Sequence, residues 1–229
     1  MKVTVLLLAA GSGRRLGSET PKQYLRVGGE TLLEHCLLSL SREPRIDAVQ
    51  PVIAEDDAYF STCIEGHDFP FSLLPAVTGG AERALSMAKG LAFLPGDTEW
   101  VAVHDVARPV PPADMLTRLF DAALRHGAAV PALPVTDTIK QVDAEGRVLA
   151  TLDRHQLRAV QTPQVARRQW YDRAVKQLQQ DLHAHTDDAS LLEAAGYPVF
   201  VCSGSTANRK ITTSEDMDWL HHHIEGDAV

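Results

Sequence analysis

The chain opens on an unbroken apolar run. Residues 3–10 (VTVLLLAA) carry no charge, and the β-branched Val3, Thr4 and Val5 lead them. Continuous apolar character over so few residues fits a strand buried on both faces of a parallel sheet. The pattern then changes period. Over 31–41 (TLLEHCLLSLS), Leu32, Leu33, Cys36, Leu37 and Leu40 fall on one helical face. Thr31 and Glu34 have capping-box spacing, and Pro44 stops the helix.

Apolar runs and amphipathic segments alternate from there. Residues 48–54 predict a second strand, blemished by Pro51. A short helix over 59–64 and a third strand over 71–77 come next. Gly79 and Gly80 open a helix over 82–94, and 100–104 (WVAVH) is a fourth buried strand ending at Asp105. Residues 112–125 predict a helix closed by Gly127, with Met115, Leu116, Leu119, Phe120 and Ala123 inward; 128–135 is a fifth strand. Such alternation predicts an α/β fold: a Rossmann-like, mostly parallel sheet with helices on both faces.

The rhythm breaks at 138–152 (TIKQVDAEGRVLATL), where two short β-like runs flank 143–146. This is a hairpin signature, an inserted arm that covers a site or meets a partner. Residues 159–164 are a candidate return to the sheet, 167–182 read as helix, and 186–195 as another, closed by Gly196 with Pro198 beyond. A last strand over 199–202 and a terminal helix from Ser214 complete the chain, with neither internal repeat nor low-complexity linker. His221, His222 and His223 lie in that helix without a carboxylate or cysteine partner, and read as a solvated helix end.

Candidate chemistry starts where the first strand stops. Gly11-Ser12-Gly13 turns the backbone, and Arg14, Arg15, Lys22 and Gln23 come within reach just after it. Bare backbone N–H groups with Arg and Lys make a cradle for a polyphosphate. The dinucleotide fingerprint fails, because Gly17 comes one residue late, and Gly17-Ser18-Glu19 lacks the Gly-Lys-Ser/Thr of the common ATPase loop. The plain alternative is a strand-to-helix turn with solvated arginines.

The length fits one domain with a real core. Against 30 Asp and Glu stand 22 Lys and Arg, which argues against nucleic acid as a bulk electrostatic partner. An anionic substrate then needs a local cationic pocket. Cys36, Cys63 and Cys202 are odd in number and far apart, as in a reducing cytoplasm. Lys2 and the apolar run mimic a secretion signal, but Arg14 and Arg15 sit where cleavage would fall. No stretch is long enough to span a membrane.

Ligands of open α/β sheets bind beyond the carboxyl ends of the strands. Each predicted strand end here carries polar residues that a core does not need. GGAERALS (79–86) lies after the third, HDVARP (104–109) after the fourth, and TDTIK (136–140) after the fifth.

LAAGSGRRLG with PKQY beyond it resembles the signature of sugar-nucleotide-type nucleotidyltransferases, and more closely the 2-C-methyl-D-erythritol 4-phosphate cytidylyltransferase family. HDVARP, PVTDTIK, Asp153-Arg154, Thr162-Pro163-Gln164, TDDAS (186–190) and NRKIT (208–212) continue the resemblance in order over nearly the whole chain. Ala81 stands where that family often carries a polar residue, and Val106 and Arg209 also depart from its pattern.

The resemblance implies one nucleotidyltransferase domain over 1–229, with 136–156 a projecting β-arm. It implies transfer of CMP from CTP to methylerythritol phosphate, with Mg²⁺ or another divalent cation. Arg15, Lys22 and Lys210 would hold the phosphates and the charge that grows in the transition state. Ala9, Ala10, Gly11, Gly13, Gly80, Ala81 and Ser86 would hold the nucleotide. Asp105, Arg108, Thr138, Arg154, Thr162 and Thr186 would hold the second substrate, and Asp105 is also a hard oxygen ligand for the cation. A homodimer with exchanged arms is expected, without nucleic acid or membrane. A cytidylyltransferase for a pentitol phosphate and a catalytically silent nucleotide-binding regulator are the rival readings. A nicotinamide-dependent dehydrogenase is disfavoured by the glycine spacing.

Overall fold

The computed structural model describes residues 1–11 and 20–226. Strand β1 (Val3–Leu8) leads to a short 3-10 turn at Lys22–Tyr24 and to a small hairpin, β2 (Arg26–Val27) and β3 (Glu30–Thr31). Helix α1 (Leu32–Leu40), strand β4 (Ile46–Ile53), helix α2 (Phe60–Ile64) and strands β5 (Ser72–Leu73) and β6 (Val77–Thr78) come next. After them lie α3 (Arg83–Ala92), β7 (Trp100–Asp105), α4 (Ala113–His126) and β8 (Ala128–Pro134). The arm is β9 (Lys140–Val142) and β10 (Val148–Thr151). The chain closes with β11 (Arg158–Val160), β12 (Gln164–Arg167), α5 (Arg168–Gln177), α6 (Asp188–Ala194), β13 (Phe200–Ser203) and α7 (Ser214–Gly226).

Nine of these strands form one sheet. β1 lies between β4 and β7, parallel to both. β12 runs antiparallel between β7 and β8, β11 continues it along β8, and β13 pairs parallel with β8. The sheet is therefore mostly parallel, as predicted, with one reversed segment.

The period-2 alternation of β1 separates two cores. Val3, Val5, Leu7 and Ala9 face α1, α2 and α4, while Leu6 and Leu8 face α3, α5 and α6. Helices thus cover both faces. Val3, Val5, Leu6 and Leu7 are wholly buried, and each buried Leu contributes about 1.5–3 kcal/mol. α7 packs separately, with Leu220 against Val27, Leu32 and Ile211.

The predicted capping box of α1 is present: Glu34 N–H donates to Thr31 Oγ1, and Thr31 N–H to Glu34 Oε2 at 2.6 Å. Pro51 does not break its strand. The Val49 and Ile53 carbonyls point to the edge side, accepting from Leu74 and Gly79. Alternation puts the Pro51 nitrogen on that same side, in the gap between β5 and β6. No donor is needed there. The predicted strand over 71–77 is correspondingly split, because Pro75 cannot donate.

Residues 159–164 do not return as one strand. β11 and β12 flank 161–163, which contain a cis Thr162–Pro163 bond. The helix expected over 167–182 stops at Gln177, and 182–184 form a separate 3-10 turn. The arm pairs antiparallel as expected, turning through Gly146 at φ +84°. Asp143 ties that turn by accepting from Arg147 N and Nε at 2.8 and 3.0 Å.

Candidate active site

A cleft of about 690 Å³ opens at the carboxyl ends of β1, β6 and β7. Three of the four predicted strand ends converge there; the fourth, 136–140, does not line the cleft, because the chain leaves the sheet there for the arm. Leu8, Ala10, Gly11, Lys22 and Gln23 come from β1 and the segment after it; Gly80, Ala81, Glu82, Arg83 and Ser86 from the start of α3; Asp105, Val106 and Ala107 from the end of β7. Lys210 and Thr212 close the cleft from a segment far along the chain.

Local chemistry fixes each wall. Gln23 is buried and donates from Nε2 to the Ala9 carbonyl at 2.7 Å, which occupies the backbone of Ala9. Ala10 and Gly11 line the cleft and Ala9 does not. Lys22 Nζ donates to the Ile211 carbonyl at 2.7 Å. The Gly79–Gly80 pair is a matter of close approach. A Cβ on Gly79 would lie 2.6 Å from Ala10 Cβ, and one on Gly80 2.5 Å from Leu85 Cβ. Ser86 Oγ accepts from Gly80 N–H at 3.0 Å, so its hydroxyl braces this loop at the cleft wall.

Asp105 is the electrostatic centre. Its Oδ1 accepts from Arg83 Nε at 2.9 Å and its Oδ2 from Lys210 Nζ at 2.7 Å. Burial opposes ionisation, but the Arg83 and Lys210 charges outweigh it and hold the carboxyl well below the usual range. The backbone of Asp105 is held as well. His104 is fully buried, and burial lowers its pKa to about 4, so the imidazole is neutral. Its Nε2 lies 3.1 Å from the Arg108 carbonyl, which only accepts, so Nε2 carries the proton. Nδ1 then accepts from the Thr162 hydroxyl at 3.0 Å, and that hydroxyl accepts from Asp105 N–H at 3.1 Å.

The residues expected from the sequence divide into groups. Lys22, Lys210, Asp105, Ala10, Gly11, Gly80, Ala81 and Ser86 meet in the cleft. Thr162 lies beneath it, with its hydroxyl engaged by Asp105 and His104. Arg108 donates from Nη1 to the Asn208 carbonyl at 2.7 Å, and its Nε is buried without a partner. Thr138, Arg154 and Thr186 do not line the cleft. Arg154 donates instead to the Thr136 carbonyl, beside a separate hollow it shares with His155 and Arg158. Gly13 and Arg15 lie outside the described residues.

Arg83 has no role in the sequence reading. Its signal is positional: a cation at the first turn of the helix after a strand-end glycine pair. Asp188, which pairs with Arg83, is concealed in TDDAS as the second of two acids.

A divalent cation fits Asp105 in kind. The carboxylate is ionised, lines the cleft, and keeps lone pairs beyond the one each oxygen gives to a cation. One carboxylate plus substrate phosphates is the usual holding set for Mg²⁺. Among the described residues, the group of metal-type ligands at Glu30, Glu34 and His67 contains no residue that lines the cleft.

A mostly parallel α/β sheet with cations and a buried carboxylate at its carboxyl edge is the setting of a nucleotide-handling enzyme. Residues 3–224 match the model of one family, IspD: 2-C-methyl-D-erythritol 4-phosphate cytidylyltransferase. The chain belongs to that family. It is 44% identical over 233 residues to the 2-C-methyl-D-erythritol 4-phosphate cytidylyltransferase of Symbiobacterium thermophilum, covering 99% of this chain and 94% of that one. To the enzyme of the same name from Syntrophus aciditrophicus it is 41% identical over 219 residues, covering 94% and 93%. The crystal structure of 4-diphosphocytidyl-2C-methyl-D-erythritol synthase from Anaerococcus prevotii superposes with a TM-score of 0.85 at 29% identity, over 98% of each chain.

Proposed function

We propose that this cleft transfers CMP from CTP to 2-C-methyl-D-erythritol 4-phosphate. A phosphate oxygen of the acceptor attacks the α-phosphorus of CTP. The bond to the bridging oxygen breaks, its electron pair leaves with that oxygen, and pyrophosphate departs. The observation that carries this reading is that Lys22, Arg83, Lys210 and Asp105 line one cleft at the carboxyl edge of the sheet, with Arg83 and Lys210 paired to Asp105.

No general base is needed. A phosphate monoester has its second pKa near ~6 and is already anionic at neutral pH. The difficulty is bringing one anion onto another. Lys22 and Lys210 meet it with charge placed before the reaction, where the transition state needs it. Arg15 joins them in this reading, on the family resemblance. Ala10, Gly11, Gly80 and Ala81 give the nucleotide a wall of small residues, and Ser86 keeps that wall in place. Asp105 would hold a divalent cation, which supplies further neutralisation of the phosphates.

Arg108, Thr138, Arg154 and Thr186 are assigned to the acceptor, with Thr162 supporting Asp105. Thr138 and Arg154 come from the arm and reach the cleft of a second copy in a homodimer. Four exposed apolar side chains on that arm, Val142, Val148, Leu149 and Leu152, support this arrangement. Three free cysteines fit a cytoplasmic setting, and no helix among the described residues is long and apolar enough to cross a membrane.

The test is pyrophosphate release by the purified chain with CTP and Mg²⁺, with and without methylerythritol phosphate. Release that depends on both substrates is expected. Release with CTP alone, or with a pentitol phosphate in place of the acceptor at equal rate, overturns the assignment.

A further inference from the structure

Asp188 is the first residue of α6, and its carboxylate is almost wholly buried. A carboxylate in such a place is costly unless a cation meets it. Arg83 does so with both terminal nitrogens. Nη1 donates to Asp188 Oδ1 at 2.9 Å and Nη2 to Asp188 Oδ2 at 2.8 Å. This is the bidentate geometry in which a planar guanidinium is held in one orientation. With the plane of the guanidinium fixed, the direction of its Nε–H is fixed as well, and Asp105 Oδ1 lies in it at 2.9 Å. Asp105 in turn presents Oδ2 to Lys210 at 2.7 Å.

We propose that Asp188 is a positioning residue of the transfer reaction: through Arg83 it fixes Asp105 and, through Asp105, the Lys210 ammonium at the cleft wall. The proposal rests on the CMP transfer assigned to the cleft and adds a residue that does not line it. Asp188 touches no substrate. Its effect is geometric, because α6, α3 and the end of β7 carry the three charged groups and share no covalent constraint over more than a hundred residues between Arg83 and Asp188. Without the fork, Arg83 is free to turn its terminal nitrogens onto Asp105 or onto the phosphates. Lys210 then loses its fixed partner geometry. A displacement of about 1 Å in such a site lowers turnover ~10²-fold without a matching loss of binding.

The pair is chosen so that charge and shape separate. Asp188→Asn keeps the volume of the side chain and removes its charge. Arg83→Lys keeps the cation that the buried carboxylate needs, so it protects the fold, but one ammonium cannot serve Asp188 and Asp105 in the forked geometry. Both variants are expected to lower kcat per folded molecule roughly 10–10²-fold. The KM for CTP is expected to stay within about threefold. Folded protein is counted from the amplitude of the thermal transition. A purely structural role gives a lower Tm with unchanged kcat per folded molecule, and that result overturns the proposal. If Asp188→Asn does not fold, Arg83→Lys decides.

A second readout needs no turnover. A crystal structure of either variant is expected to show Asp105 in a changed rotamer or Lys210 Nζ beyond hydrogen-bond distance of it. An unmoved Asp105–Lys210 pair overturns the proposal. This arm stands even if wild-type protein releases no pyrophosphate, which would sink the proposed reaction and not the positioning geometry.

Discussion

Lys22 donates from Nζ to the carbonyl of Ile211 at 2.7 Å, and Ile211 is the neighbour of Lys210. The two ammonium groups proposed to meet the triphosphate are therefore delivered to one wall by segments from opposite ends of the chain. Each is held by an acceptor of the protein: a carbonyl for Lys22 and a carboxylate for Lys210. Groups held in advance spend little on reorganisation when charge develops.

Lys22→Ala and Lys210→Ala should each lower kcat about 10²–10³-fold, with a much smaller change in the KM for CTP. Steady-state pyrophosphate release over a CTP titration measures both. A variant with near-normal turnover loses its assignment.

Base choice should depend on the loop that Ser86 braces. The cleft is expected to use CTP well ahead of UTP, ATP and GTP, because the small residues Ala10, Gly80 and Ala81 line its wall and let a pyrimidine ring approach the backbone. Ser86→Ala removes the acceptor of Gly80 N–H and should cost about 0.5–1.5 kcal/mol in the difference between CTP and ATP, roughly a factor of two to ten in relative kcat/KM. Initial rates with the four triphosphates decide it. Equal rates with ATP in the wild type end the cytosine assignment.

Asp105→Asn should raise the Mg²⁺ concentration for half-maximal activity by tenfold or more, since the amide is a weaker ligand than a carboxylate. Chelation should abolish wild-type activity. An unchanged Mg²⁺ titration in the variant removes Asp105 from the cation site.

The start of α7 makes a pH prediction. Asp216 Oδ2 accepts from Thr212 N, Thr212 Oγ1 and Thr213 N at 2.8, 2.8 and 3.0 Å, and Oδ1 from Arg209 Nε at 2.7 Å. Burial raises its pKa, but these donors outweigh it, and the folded value lies well below the ordinary carboxylate range. A depressed folded pKa gives stability that is complete above the unfolded pKa and lost as pH falls through the folded one. The wild-type Tm should then fall between about pH 5 and pH 2. Asp216→Asn should lower Tm at pH 7 by about 3–8 °C and show a shallower acid decline. Parallel declines in the two proteins would remove Asp216 from the acid response.

The sequence made the sheet legible because its strands are continuous apolar runs and its helices keep period 3.6. Legibility failed where pairing is decided by single atoms. Pro51 counted against its own strand because the side on which its nitrogen points is set by β5 and β6, which are far off in the chain. The reversed segment was blurred for a similar reason, since 161–163 interrupt it. At the site, strand-end positions exposed Asp105, Ser86 and Lys22. Arg83 and Asp188 stayed hidden, because a pair separated by 105 positions leaves no local pattern. Thr162 looked like a substrate contact by its motif, and only the structure shows its hydroxyl occupied by Asp105 and His104.

Arg154 and Thr138 supply the last prediction. The structure pairs β9 with β10 in a hairpin outside the nine-stranded sheet, and every β9 residue is exposed. An isolated hairpin is marginal in water, and Val142, Val148 and Leu149 are each more than half exposed. A symmetric dimer would cover such an arm and would carry Arg154 away from its own cleft to its partner's. Lys22→Ala and Arg154→Ala proteins should each be nearly inactive. In a mixed dimer with sites shared in this way, one site loses both residues and the other regains both. Random exchange of equal amounts puts half the molecules in mixed dimers, so roughly a quarter of all sites should return to wild-type activity. Sites built within one chain would always lack one residue, and mixing would restore nothing. Native mass analysis must first show that mixed dimers have formed. With that established, no recovery removes Arg154 from the partner's site and leaves the arm folded over its own subunit.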